Sequence, residues 1–154
     1  MKFQILTATR SDLEMILDLQ KECYLTEAEL HEEFNIPPLT QTIDSINKYF
    51  IEGTLFLKGI INGEIVASVR GYTKENTSFI GRLIVKKEFQ NLGFGKALMS
   101  EIETFLSHCS RCELFTGYKS EKNIKLYQKL GYDEFKRQVV NDNLTLVYMQ
   151  KFKK

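Results

Sequence analysis

The feature that most constrains this chain is the stretch 85–97, Val-Lys-Lys-Glu-Phe-Gln-Asn-Leu-Gly-Phe-Gly-Lys-Ala. Upstream of it, residues 79–85 form an apolar run broken only by Gly81 and Arg82. Downstream, Phe94, Ala97, Leu98, Ile102, Phe105 and Leu106 recur at helical spacing on one face. The stretch therefore reads as a buried strand, a short turn and a glycine-rich helix start. The first N–H groups of a helix have no intrahelical partner, and the helix dipole favours negative charge beside them. Gly93 and Gly95 carry no Cβ, so phosphates can come close to the backbone. The spacing predicts a diphosphate seat between Gln90 and Ala97.

Two other glycine-rich loops are excluded by single residues. A P-loop would need Gly at 90 and Ser or Thr at 97, where this chain has Gln90 and Ala97. A dinucleotide fingerprint would need a small residue at 98 and a place in the first strand–helix unit. Leu98 occupies that position, and the motif lies past mid-chain.

The rest of the chain supplies elements around this centre. Residues 3–7 alternate as a short strand, and Ser11 with Glu14 suggests a capping box for a helix running to about Cys23. Residues 24–40 read as a polar connection closed by Pro37-Pro38. A second helix is expected over 41–51, ended by Gly53. Strands 55–61, 64–72 and 77–85 are joined by Asn62-Gly63 and Glu75-Asn76, which makes an antiparallel meander. The glycine-led helix runs from Gly93 to about Ser107. A strand over 113–118 is reached through that helix, so it should lie parallel to the strand ending at Val85. A helix over 121–130 and strands over 132–139 and 144–151 complete the order β-α-α-β-β-β-α-β-α-β-β. The expected class is α/β (α+β), a mixed central sheet of about seven strands with about four helices, in a single domain over 1–154.

Composition narrows the function. A hydrophobic content of 43% argues against disorder. A net charge of +1 argues against a general nucleic-acid binder. Small basic groups, Lys86, Lys87 and Lys96, then Lys119, Lys122 and Lys125, flank the expected phosphate seat. As solvated surface they need no explanation, and as a field they favour an anionic ligand. No run of 18 apolar residues suggests a membrane span, and residues 1–10 do not read as a signal peptide. Cytoplasmic residence is the resulting expectation. The three cysteines, Cys23, Cys109 and Cys112, suit free thiols in a reducing compartment. His108, Cys109 and Cys112 form a weak metal motif, because structural zinc wants four ligands and only the distant Cys23 could join them. No metal site is expected.

Gln90-x-x-Gly93-x-Gly95, with Val85 five residues before the glutamine, resembles the pyrophosphate-binding signature of the GCN5-related N-acetyltransferase (GNAT) family. The resemblance extends over nearly the whole element order. It implies that acetyl-CoA enters between two splayed parallel strands, here 79–85 and 113–118. It also implies cofactor contacts from Leu83, Ile84, Val85, Gln90, Asn91, Leu92, Gly93, Phe94, Gly95, Lys96, Ala97 and Asn123. A backbone N–H of Leu83 or Ile84 would polarise the thioester carbonyl. Tyr127, four residues after Asn123 and on the same helix face, would be the catalytic residue near the sulfur. An amphipathic core aromatic is the plainer reading of Tyr127. The implied activity is transfer of acetyl to a primary amine, on a small molecule or a peptide, in a ternary complex. A non-catalytic acyl-CoA-binding module with the same fold is the alternative, and a hydroxyl acceptor a third. The strand 77–85 carries no carboxylate, so a general base is sought among His31, Glu32 and Glu33 or in a water chain. The acceptor pocket is expected to draw on residues 24–39 and 139–148. Either a monomer or a homodimer fits, with the exposed final strand a place for two subunits to pair.

Overall fold

The computed structural model describes residues 2–153. Its strands are β1 (Phe3–Thr7), β2 (Leu55–Ile61), β3 (Glu64–Lys74), β4 (Thr77–Val85), β5 (Arg111–Gly117), β6 (Asp133–Val139) and β7 (Thr145–Phe152). Its helices are α1 (Leu13–His31), α2 (Pro37–Thr40), α3 (Ile43–Ile51), α4 (Phe94–Phe105) and α5 (Glu121–Lys129). The strands form one mixed sheet in the order β1-β2-β3-β4-β5-β7-β6. Both meander turns are set by positive φ: Asn62 and Gly63 lie at 51° and 77°, Glu75 and Asn76 at 49° and 63°. These are the values a two-residue hairpin needs to match strand twist.

Leu98, Met99, Ile102 and Leu106 of the glycine-led helix are buried against one face of the sheet, with Leu57, Val69 and Ile80. Phe105, expected on that face, is 51% exposed. The backbone leaves helical geometry at Leu106 (φ −103°, ψ 25°), which tucks Leu106 inward and leaves Phe105 outside. On the opposite face, Leu13, Ile16 and Leu17 of α1 and Ile46 of α3 pack with Phe56.

The first helix is longer than its sequence suggested. Its inward face continues through Gln20, Ala28 and His31, all buried. The prolines constrain only the residue before them, so they do not reach back to Cys23. The helix ends when Glu32 turns left-handed (φ 51°). Pro37 and Pro38 then open α2, where missing N–H groups cost nothing. The Ser11–Glu14 box is also replaced. Thr9 caps a short 3-10 turn, and its N–H donates to the Asp12 carboxylate at 2.8 Å.

Two departures from a regular sheet shape the centre. Strand β5 is parallel to β4, but only Thr77, Ser78 and Phe79 pair with it, opposite Arg111, Cys112 and Glu113. Beyond Phe79 the strands diverge while β5 stays paired with β7 through Gly117. In β4, the register against β3 shifts between Ser68 and Arg70, and Arg82 sits in left-handed geometry at φ 51°. A non-glycine residue there costs about 1–2 kcal/mol, and the bulge bends β4 as it leaves β5. The final strand β7 is interior, between β5 and β6, so it is not free to pair subunits. The edge on that side of the sheet is β6, whose Asp133, Glu134, Lys136 and Arg137 oppose edge-to-edge pairing.

Candidate active site

The divergence of β4 and β5 opens a cleft of about 880 Å³. Its floor is Ile80–Val85 on one side and Leu114–Gly117 on the other. Pairing between β4 and β5 stops at Phe79, so the backbone groups along this gap lack the strand partner a closed sheet would give. Lys86 N–H donates to Val66 O at 2.8 Å. By antiparallel alternation, the neighbouring Val85 turns its polar groups away from β3. Its carbonyl accepts from the Gln90 side chain at 2.9 Å and from the Cys23 thiol at 3.6 Å. The Val85 N–H is left for the cleft.

One end of the cleft is the glycine-rich turn. Asn91 and Gly93 both have positive φ, 63° and 85°, which curls the backbone before α4. A side chain at Gly93 would meet open space, so glycine is needed there for its φ rather than for room. The N–H groups of Phe94, Gly95 and Lys96 begin α4 and have no intrahelical acceptor. Gln90, Asn91, Gly93, Phe94, Gly95 and Lys96 all line the cleft. Leu92 does not, and is half exposed. Ala97 does not line the cleft either, and its N–H is spent on Gly93 O at 3.1 Å. The Gln90 amide is occupied by Val85 O, so it ties turn to strand. Of the six flanking lysines, Lys96, Lys119 and Lys122 face the cleft, while Lys86 is paired with Glu64 at 2.9 Å.

At the other wall, α5 presents Asn123 and Tyr127 to the cleft. Tyr127 is 7% exposed. Burial, then the neighbouring Tyr24 and Glu27, push its phenol well above the usual range, so it stays protonated through alkaline pH. Asn123 lies 3.5 Å from both Glu27 Oε1 and Thr116 Oγ1.

The lengthened α1 adds residues that the sequence did not single out. Tyr24 and Glu27 line the cleft. The Ser120 hydroxyl donates to Glu27 Oε2. The spacing 20, 24, 27, 28, 31 carried this signal, but the prolines and polar composition obscured it. The three suggested bases fare differently. His31 is 3% exposed and both its nitrogens are engaged, Nδ1 with Glu27 O at 2.9 Å and Nε2 with Lys119 N–H at 3.2 Å. Glu33 lines the cleft and accepts from Asn35 N–H at 3.0 Å, whereas Glu32 caps α1.

A second chamber of about 640 Å³ continues from the same gap. It shares Ile80, Gly81, Arg82, Leu114 and Phe115 with the cleft, and Gln41, Ser45, Tyr49, Arg70 and Tyr72 extend it. The expected contributors 24–39 and 139–148 divide between the two spaces. The α3 and β3 residues come from outside those ranges. No cluster of histidine, cysteine or carboxylates able to hold a metal occurs among the described residues.

A mixed sheet opened between two parallel strands, with a glycine-led helix start at the gap, defines the class of GNAT acyltransferase folds. The family model "Acetyltransferase (GNAT) family" matches residues 13–132, and the chain belongs to that family. An acetyltransferase of Pectobacterium atrosepticum is 29% identical over 126 residues, spanning 80% of this chain and 83% of the relative. The ribosomal-protein-S18-alanine N-acetyltransferase of Escherichia coli superposes with a TM-score of 0.81 at 15% identity, covering 99% and 96% of the two chains. The PaiA N-acetyltransferase of Thermoplasma acidophilum, solved in complex with coenzyme A, superposes at 0.74 with 19% identity, covering 99% of each chain. These two structures bear on the fold alone.

Proposed function

We propose that this protein transfers an acetyl group from acetyl-CoA to a primary amine by direct attack in a ternary complex. The observation that carries this reading is the continuity of the β4–β5 gap. It runs from the free N–H groups of the glycine-rich turn, past Tyr127, into the second chamber. The residues present fit coenzyme A. Phe94, Gly95 and Lys96 N–H groups would hold the diphosphate, the unpaired edge of β4 would pair with the amide-rich arm, and Asn123 would contact that arm. Bound there, the ligand supplies an acyl thioester.

An alkylamine with a pKa near 10.4 is neutral in only about one molecule per thousand at pH 7, a deficit of roughly 4 kcal/mol. Glu27, the carboxylate of α1 that lines the cleft, is the proposed acceptor of that proton through water. The new nitrogen–carbon bond forms as the carbon–sulfur bond breaks. The departing thiol has a pKa of about 8.5. A phenol raised above 10 cannot readily give up its proton to that thiolate, so Tyr127 stabilises it as a hydrogen-bond donor.

The test is thiol release from acetyl-CoA across a panel of amines, with Tyr127→Phe beside the wild type. The expected result is turnover with at least one amine, and a ten- to hundredfold lower kcat in the variant with coenzyme A affinity retained. A loss below about threefold removes Tyr127 from the chemistry. Binding of acetyl-CoA without release across the whole panel favours the non-catalytic module instead.

A further inference from the structure

The second chamber contains two arginines without a counter-ion among the described residues. Arg70 of β3 and Arg82 of β4 both line it, and the Nε of each is buried without a hydrogen-bond partner among the described residues. Neither makes an ion pair among the described residues. Arg70 is instead held by neutral dipoles. One terminal nitrogen donates to Gln41 Oε1 at 3.3 Å and the other to Gln20 Oε1. Gln20 is fixed in turn, since its Nε2 donates to Pro38 O and to Gln41 Oε1, each at 2.9 Å. The Phe56 ring stacks 4.6 Å from the Arg70 guanidinium. These contacts orient the charge and leave it unneutralised.

Two further facts sharpen the imbalance. The only carboxylate lining the chamber among the described residues, Glu113, is committed to Arg111 at 2.9 Å. Burial, and then repulsion from Arg82, lower the Arg70 pKa to about 9, so it remains charged at neutral pH. Two like charges half-buried in one chamber are costly unless an anion joins them. Arg82 is also the bulged residue of β4, and it borders both the chamber and the cleft. An anion bound between the two guanidiniums therefore sits beside the splay, where the acyl carbon is expected.

We propose that the chamber recognises a carboxylate on the acceptor, so that the substrate is an amino acid or another carboxylate-bearing amine. This rests on the acyl-transfer reading above. Arg82 and Arg70 bind the carboxylate, Gln20 and Gln41 hold Arg70 in place, and the amine is turned toward the gap between β4 and β5. Specificity follows because an amine without the carboxylate leaves both guanidinium charges without an anion beside them.

The experiment compares matched acceptors on the wild-type protein by thiol release. One set pairs α-amino acids with their amides. A second pairs ω-amino acids with alkylamines of the same length, so that the spacing of amine and carboxylate is sampled. The expected result is a kcat/KM at least tenfold higher for the acid in one of these series. Arg70→Gln and Arg82→Asn, the latter because asparagine tolerates left-handed φ, are expected to raise KM for that acid ten- to hundredfold. Their rise in KM for the uncharged partner should be at least fivefold smaller than the rise for the acid. Calorimetry with coenzyme A on Arg70→Gln should match the wild type. Equal kcat/KM for acids and their uncharged partners overturns the carboxylate subsite and leaves acetyl transfer standing. Absence of coenzyme A binding by the folded wild type overturns both. The wild-type comparison decides the matter even if either variant fails to fold.

Discussion

At the scale of single residues, environment decides what each reactive group can do. Cys23 lies on the cleft wall and would be an obvious target for alkylation. Burial, and then the negative field of Glu22 and Glu88, push its thiol up to about 12. Only about one molecule in ten thousand is then thiolate at pH 8. Iodoacetamide labelling followed by peptide mass spectrometry should find Cys23 modified at least a hundredfold more slowly than free cysteine at that pH. Labelling at the free rate would mean that its S–H bond to Val85 O is absent in solution. Tyr127 shows the same influence with another outcome: burial makes it a lasting donor, and its ionisation should leave no imprint on a pH–rate profile below pH 10.

At the scale of elements, the cleft depends on how α1 meets the end of β5. A Cβ at Gly117 would lie 2.3 Å from His31 Nε2, so the ring fills the space that a side chain would take. The same ring accepts the Lys119 N–H and bonds the Glu27 carbonyl. Gly117→Ala should therefore destabilise the protein by about 1–3 kcal/mol, read as a shift in urea midpoint, and weaken coenzyme A binding through the displaced Lys119–Asn123 wall. Unchanged stability would show that this packing is loose. The turn before α4 gives a second test. Gly93 needs φ 85°, so Gly93→Val should cost about 1–2 kcal/mol of strain and lower coenzyme A affinity, whereas Gly93→Asn should largely restore both.

At the scale of the whole molecule, the half-buried pair Lys58–Asp12, 2.7 Å apart, ties the start of α1 to β2. Burial alone would raise the Asp12 pKa, but the bonds from Lys58 and Thr9 outweigh it and bring the carboxyl below its usual value. A lowered folded-state pKa means that the stabilisation is complete above the unfolded value near 4, and is lost as pH falls through the folded one. Urea unfolding should show Asp12→Asn about 1 kcal/mol less stable than wild type at pH 7, with the gap closing below pH 3. A gap independent of pH would assign the effect to packing. The meander, the parallel return through α4 and the glycine-rich turn were legible in the residues themselves, because hairpin φ values, strand alternation and helix starts are local. The length of α1 was misread where its inward face became polar: Gln20 and His31 are buried, and Glu27 partly so, because Arg70 of β3, Lys119 and Ser120 of the turn after β5 and Asn123 of α5 satisfy them, and those partners are remote in sequence. The sequence alone determined most of the elements and the glycine-rich helix start, both set by backbone geometry over a few residues. Only the tertiary structure decided where β4 parts from β5, which carboxylates enter the cleft and that Arg70 and Arg82 line one chamber, because each of these depends on segments that the chain brings together only on folding.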